Sequence, residues 1–231
     1  MDLTWYILFA AGVILIISFD LFRRNGFALG LHRPHKFHRS QLVGVLLGLD
    51  DAAVSELLAL YQKEFGAGPA RYARKTLRKW KTGHVQPATQ TYERFLVHLP
   101  RVMPCDMKCD VLRHFMEEYA AKENVELELY TDEWEEKLEP LVRQIVDKAF
   151  TAELPVEVER QLKWLGDGDM QAAKEILRRS QAEEGRIMVS MLRDEIAAIE
   201  RILAEEHLKP RVTHVLKFPY GTITLYVRKR V

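Results

Sequence analysis

Three groups of residues in this chain have types and spacings that could do chemistry. The first is a basic run, Arg71, Arg74, Lys75, Arg78, Lys79 and Lys81, interleaved with Tyr72 and Trp80. On a helix, Arg71, Arg74 or Lys75, and Arg78 share one face through their three- and four-residue spacing. Spaced cations neutralise phosphates and nearby aromatics stack on bases, so RNA, an anionic lipid surface or an acidic protein partner would suit this stretch. The second group is Arg78 with His84. A histidine there could move protons while the arginine steadied the charge on a phosphorane. The third is Cys105, Cys109 and His114. Zinc wants four ligands and no fourth accompanies them, so small buried thiols are the expectation and no metal is assigned.

The Arg78–His84 pair resembles the Arg-x(4–6)-His spacing of HEPN-type ribonucleases, helical proteins that bring two such motifs together across a dimer. The resemblance implies a weak catalytic candidate at those two residues. The same spacing recurs at Arg33–His38 and Arg201–His207, so spacing alone selects none of them. Only Arg78–His84 belongs to a basic helix that ends at a glycine turn. The chain has no Walker loop, Rossmann glycine pattern, Gly-x-Ser-x-Gly elbow or HExxH. No cofactor and no small-molecule substrate is therefore expected, and binding is a better reading than catalysis.

These groups must be positioned by the rest of the chain. Residues 3–19 form an unbroken uncharged run, and extension to Phe22 gives about 20 helical residues, or about 30 Å, the thickness of a bilayer core. Trp5 and Tyr6 suit one interface, and Arg23 and Arg24 close the other end. Positive charge follows the apolar run instead of preceding it, which argues against a cleaved signal peptide. Residues 1–22 are thus expected to be a single transmembrane anchor, with the N-terminus outside and the remainder cytoplasmic at the inner (plasma) membrane. Asp20 lies within a turn of Arg23 and Arg24, where an interfacial ion pair is the simpler role; facing a lumen would require a ring of subunits. Residues 23–39 carry Arg23, Arg24, Arg33, Lys36 and Arg39 with no acid, alternating with Phe27, Leu29, Leu31 and Phe37. That pattern fits contact with anionic lipid. His32, His35 and His38 recur there at every third position, but Pro34 breaks the helix that would align them as ligands.

The net charge of +1 hides strong blocks. Against the basic run stands an acidic stretch, residues 117–140, with ten acids and two lysines. Hydrophobic residues make up 48% of the chain, enough to bury a core. Residues 40–208 read as a helical domain, with helices over 51–65, 69–81, 87–99, 106–122, 132–150, 155–165 and 169–207. Asp50 or Asp51 would cap the first of these and Gly66 would end it. Residues 125–130 alternate strictly and predict a short strand. In the long last helix, Val189, Leu192, Ile196, Ile199 and Leu203 alternate steps of three and four, an oligomerisation seam if a coiled coil forms between chains and a core stripe if they pack within the chain's own bundle. Residues 209–231 predict a β-hairpin around Phe-Pro-Tyr-Gly, which must pack on helices, pair with 125–130, or pair with another chain.

The fold class expected is mainly α: one transmembrane helix, a cytoplasmic helical bundle with a long C-terminal helix, and a terminal β-hairpin. This layout resembles the membrane-anchored accessory proteins of bacterial CRISPR and other anti-phage systems. That likeness implies a role in antiviral defence by oligomerisation in the membrane and assigns no residue. The leading expectation is a single-pass membrane protein that acts by self-assembly and partner binding. A membrane-tethered RNA binder or ribonuclease and an oligomeric pore are the alternatives.

Overall fold

The computed structural model describes residues 43–81, 88–120, 123–205 and 211–230. The chain divides into two compact units, residues 1–43 and 44–231, and the elements below belong to the second. The expected anchor (1–22) and the basic segment after it lie outside the described residues. Among the described residues, no helix is long and apolar enough to cross a membrane.

After a short helical stretch at 43–48, seven helices and three strands follow. They are α1 (Asp51–Phe65), α2 (Ala67–Lys81), α3 (Thr89–Val102), α4 (Cys105–Tyr119), β1 (Glu123–Tyr130), α5 (Trp134–Asp147), α6 (Val156–Leu165), α7 (Met170–Glu205), β2 (Arg211–Phe218) and β3 (Gly221–Arg228). The fold is mainly helical with one small sheet. Asp50 caps α1, its carboxylate accepting from the Ala53 N–H at 2.7 Å. Gly66, at φ +88°, ends α1 in a conformation that glycine alone adopts freely and lets α2 start one residue later. α1 packs on both α2 and α3; α7 packs on α4, α5 and α6.

Two departures from the sequence expectation have physical causes. Helix α3 continues through Pro100 instead of stopping before it. Proline supplies no N–H to the carbonyl four residues back, and that carbonyl, Leu96 O, accepts from Trp164 Nε1 at 2.9 Å. The indole thus replaces the missing donor and ties α6 to α3, and Arg101 reinforces the same joint through Asp167 at 2.7 Å. The end of α5 widens into a π turn, Lys148–Ala152, which sets Phe150 in the core edge-on to Tyr220 at 5.4 Å.

The hairpin forms around the two residues Pro219 and Tyr220, with Phe218 opposite Gly221. Of its three possible supports, the sheet uses two. β1 pairs parallel with β3, Leu127 opposite Leu225, giving the strand order β1-β3-β2. The inner row of β3, Ile223, Leu225 and Val227, is buried with the helices. Gly221 permits the β1–β3 approach, since a Cβ there would stand 2.5 Å from Glu123 O. The hairpin is therefore part of the 44–231 unit.

The stripe on α7 faces inward. Leu192, Ile196, Ile199 and Leu203 are 0–4% exposed within this single chain, and Val189 is half-buried. At Leu192, Ile196, Ile199 and Leu203 the expected oligomerisation seam is corrected to a core stripe: side chains already enclosed within the single chain have no free face for a second one.

Candidate functional site

Helix α2 shows how its sequence divides. Ala70, Ala73, Leu77 and Trp80 recur at helical spacing and are buried, with Trp80 edge-on to Phe95 at 5.8 Å. That stripe fixes the rotation of the helix, and the remaining positions are forced outward. Arg71, Arg74, Lys75, Arg78 and Lys79 are all exposed. Arg71 to Arg78 spans seven residues, about 10 Å along the axis. Tyr72 stands among them at 55% exposure.

This face is set apart by how many cations it gathers without an acid among them. Elsewhere among the described residues many cations have acids beside them, Lys148 with Glu123 at 3.3 Å, Arg160 with Glu157 at 2.7 Å, Lys163 with Glu159 at 2.7 Å and Arg179 with Glu175 at 2.8 Å, and those without one, such as Lys63, Lys108 and Lys174, are scattered singly over different helices. Among the described residues, Arg71, Arg74, Lys75 and Arg78 have no acid at ion-pair distance. The acidic stretch does not supply one. Several of its members are engaged with nearer cations, Glu128 with Arg228, Asp132 with Arg230 and Glu133 with Lys137. The result is an unneutralised cationic strip on a rigid helix.

The Arg78–His84 pair is only half visible, because His84 lies outside the described residues. The Lys81 side chain and the expected lipid contacts Arg23, Arg24, Arg33, Lys36 and Arg39 lie outside them too. Cys105, Cys109 and His114 do not converge as a ligand set among the described residues. His114 pairs with Glu117 at 3.2 Å. Cys109 is buried and its thiol donates toward Ile176 O at 3.5 Å. Burial, followed by the neighbouring Cys105, pushes the Cys109 thiol up to about 12, which keeps it protonated and unreactive at neutral pH.

Sequence reasoning missed a polar cluster where α4, α7 and the hairpin meet. Glu184 is 8% exposed, with Arg113 Nη1 3.9 Å from its carboxylate. The Tyr220 hydroxyl donates toward Arg113 O at 3.5 Å, and Ser180 donates to Cys109 O at 3.4 Å. Burial raises the Glu184 carboxyl above its ordinary range, with Arg113 opposing. One signal was available: Glu184 falls on the inward stripe that runs Ile176, Ser180, Glu184, Met188, Leu192 at four-residue steps. A groove of about 670 Å³ also runs between α5 and α7, floored by Val142, Val146 and Gly185, with Arg143 and Asp194 among its lining residues. Its mixed charge favours no particular ligand.

Compared with protein-family models, curated proteins and solved structures, the chain matches none.

Proposed function

We propose that this chain is a single-pass membrane-anchored protein whose cytoplasmic helical domain acts by oligomerisation and partner binding, not by catalysis. Residues 3–22 would be the anchor. The α2 strip would dock on the anionic leaflet and hold the domain against it. An accessory role in an anti-phage system, implied by the layout, is the biological setting proposed for this assembly. One observation carries the reading: Arg71, Arg74, Lys75 and Arg78 are exposed and unneutralised on a helix whose rotation is fixed by its buried side. Anionic headgroups supply the missing counter-charge at no cost in fold.

The test is an environment-sensitive fluorophore at Tyr72→Cys in the full chain, reconstituted in nanodiscs. The emission should shift to the blue in phosphatidylserine discs and stay put in zwitterionic ones. No difference between the two discs would defeat the docking claim.

A second reading is favoured by Tyr72, whose exposed ring among cations could stack on a base. In that reading the strip binds RNA, with Arg78 and His84 as the nuclease candidates. RNA cleavage that survives His84→Ala would exclude that centre, and RNA binding indifferent to salt would exclude the phosphate contacts.

A further inference from the structure

The sheet is closed on its helix side at the centre and open at one edge. In β3 the inner row Ile223, Leu225 and Val227 is at most 1% exposed. In β2 the inner row Val212, His214, Leu216 and Phe218 is only half-buried. β2 is an edge strand of eight residues, without proline. Among the described residues, its outer backbone groups have no neighbouring strand.

The helix behind β2 carries exposed apolar side chains around one ion pair. His214 Nε2 reaches Glu195 of α7 at 2.5 Å, which fixes the flank of α7 that runs along β2. Counting along the helix from Glu195 in steps of three and four gives Ile187, Met191, Ala198 and Ile202 on that flank. Ile187, Met191 and Ile202 are 39%, 48% and 43% exposed. One more strand added to β2 would place its own inner row over them.

β2 can supply that strand to a second copy of itself. In an antiparallel pairing about a two-fold axis at Val215, Val212 faces Phe218 of the copy, His214 faces Leu216, and Thr213 faces Lys217. No like charges stand opposite, and both inner rows stay on the helix side. Arg211 is folded back over the Tyr226 ring at 4.6 Å and does not block the edge. The other edge strand fails the same test. Pairing β1 with itself about Glu126 or Leu127 sets Glu126 against Glu126 or Glu128. Val215, at the proposed axis, is 50% exposed in the single chain.

We propose that β2 is the homodimer surface of this chain, joining two three-stranded sheets into one of six strands, with each copy's inner row covering Ile187, Met191 and Ile202 of the other. This names the surface for the assembly proposed above and rests on that reading. The α2 strip contributes no residue to it, so the two fail separately.

The experiment uses the full chain in nanodiscs. Directly opposed antiparallel residues lie about 4.5–5.5 Å apart between Cα atoms, inside the roughly 4.4–6.8 Å range of a disulfide. Val215→Cys under mild oxidation should therefore give a covalent dimer as the main band. Lys217→Cys sits four residues from its symmetry mate's position, about 13 Å away, and should stay single, as should the native chain with Cys105 and Cys109. Val215→Asp, which sets two carboxylates together at the axis, should halve the number of chains per uncrosslinked particle. A native chain of single-copy mass overturns the proposal. So does a dimer in which Val215→Cys fails to cross-link, or in which Lys217→Cys cross-links equally well. Loss of the Tyr72→Cys lipid signal with the Val215→Cys dimer intact would sink leaflet docking alone.

Discussion

Replacing Leu192 by alanine separates a core stripe from a seam between chains. Leu192 is 0% exposed in the single chain. Truncation removes three buried carbons, about 2.4 kcal/mol of transfer free energy at about 0.8 kcal/mol per methylene. The cavity left in the core adds to this, so the expected loss is about 3–5 kcal/mol. Lys174, exposed on the same helix, is the control, and its alanine variant should cost less than about 0.5 kcal/mol. The assay is urea unfolding of the detergent-solubilised chain, followed by tryptophan fluorescence at two protein concentrations. A core role gives a large loss in Leu192→Ala that is the same at both concentrations. If Leu192→Ala is nearly neutral, or its cost disappears on raising the protein concentration, the stripe serves another chain and the packing argument fails.

Three shorter predictions follow from the buried polar cluster, the thiol and the sheet. Because burial raises the Glu184 carboxyl, the folded chain holds that proton more tightly than the unfolded chain. Its contribution is therefore full below the ordinary value of 4.5 and is lost as pH rises toward the raised one. Melting temperatures of Glu184→Gln across that window should lack the downward step of the native chain, and an unchanged step would place its origin elsewhere. Cys109, protonated and buried, should resist iodoacetamide at neutral pH in the folded chain and react on unfolding; mass spectrometry showing equal rates in both states would contradict its enclosure. Gly221→Ala pushes a methyl group toward Glu123 O and should cost about 1–3 kcal/mol in urea unfolding, with amide exchange accelerating in β1 and β3. Unchanged exchange in β1 would mean the two strands do not depend on that approach.

Local rules carried the sequence reading a long way. The Asp50 cap, the Gly66 stop, the strict alternation of 125–130 and the hairpin all reappear within a few residues of where periodicity and turn chemistry set them. What failed was non-local. Pro100 reads as a helix stop because nothing near it in sequence announces that Trp164 will take over the orphaned Leu96 carbonyl. The α7 stripe reads equally well as a seam or a core, since spacing gives a face but not its neighbour. The parallel pairing of β1 with β3 joins residues about a hundred positions apart and left no local trace. For the candidate site, composition identified the α2 cations, but their freedom from acids is a property of where the acidic stretch folds. That stretch could have neutralised them on sequence grounds, and instead it meets Arg228, Arg230 and Lys137.

The central claim, that the α2 strip binds an anionic surface, is tested most directly by flotation of residues 44–231 with liposomes. At about 1 kcal/mol for each cation near such a surface, four cations give about 4 kcal/mol, roughly a thousandfold in partitioning. The fragment should float with phosphatidylserine liposomes, not with zwitterionic ones, and Arg71→Glu with Arg74→Glu and Arg78→Glu, or molar salt, should abolish flotation while the circular dichroism spectrum stays unchanged. Flotation indifferent to lipid charge, or undiminished by the three reversals, would contradict the claim.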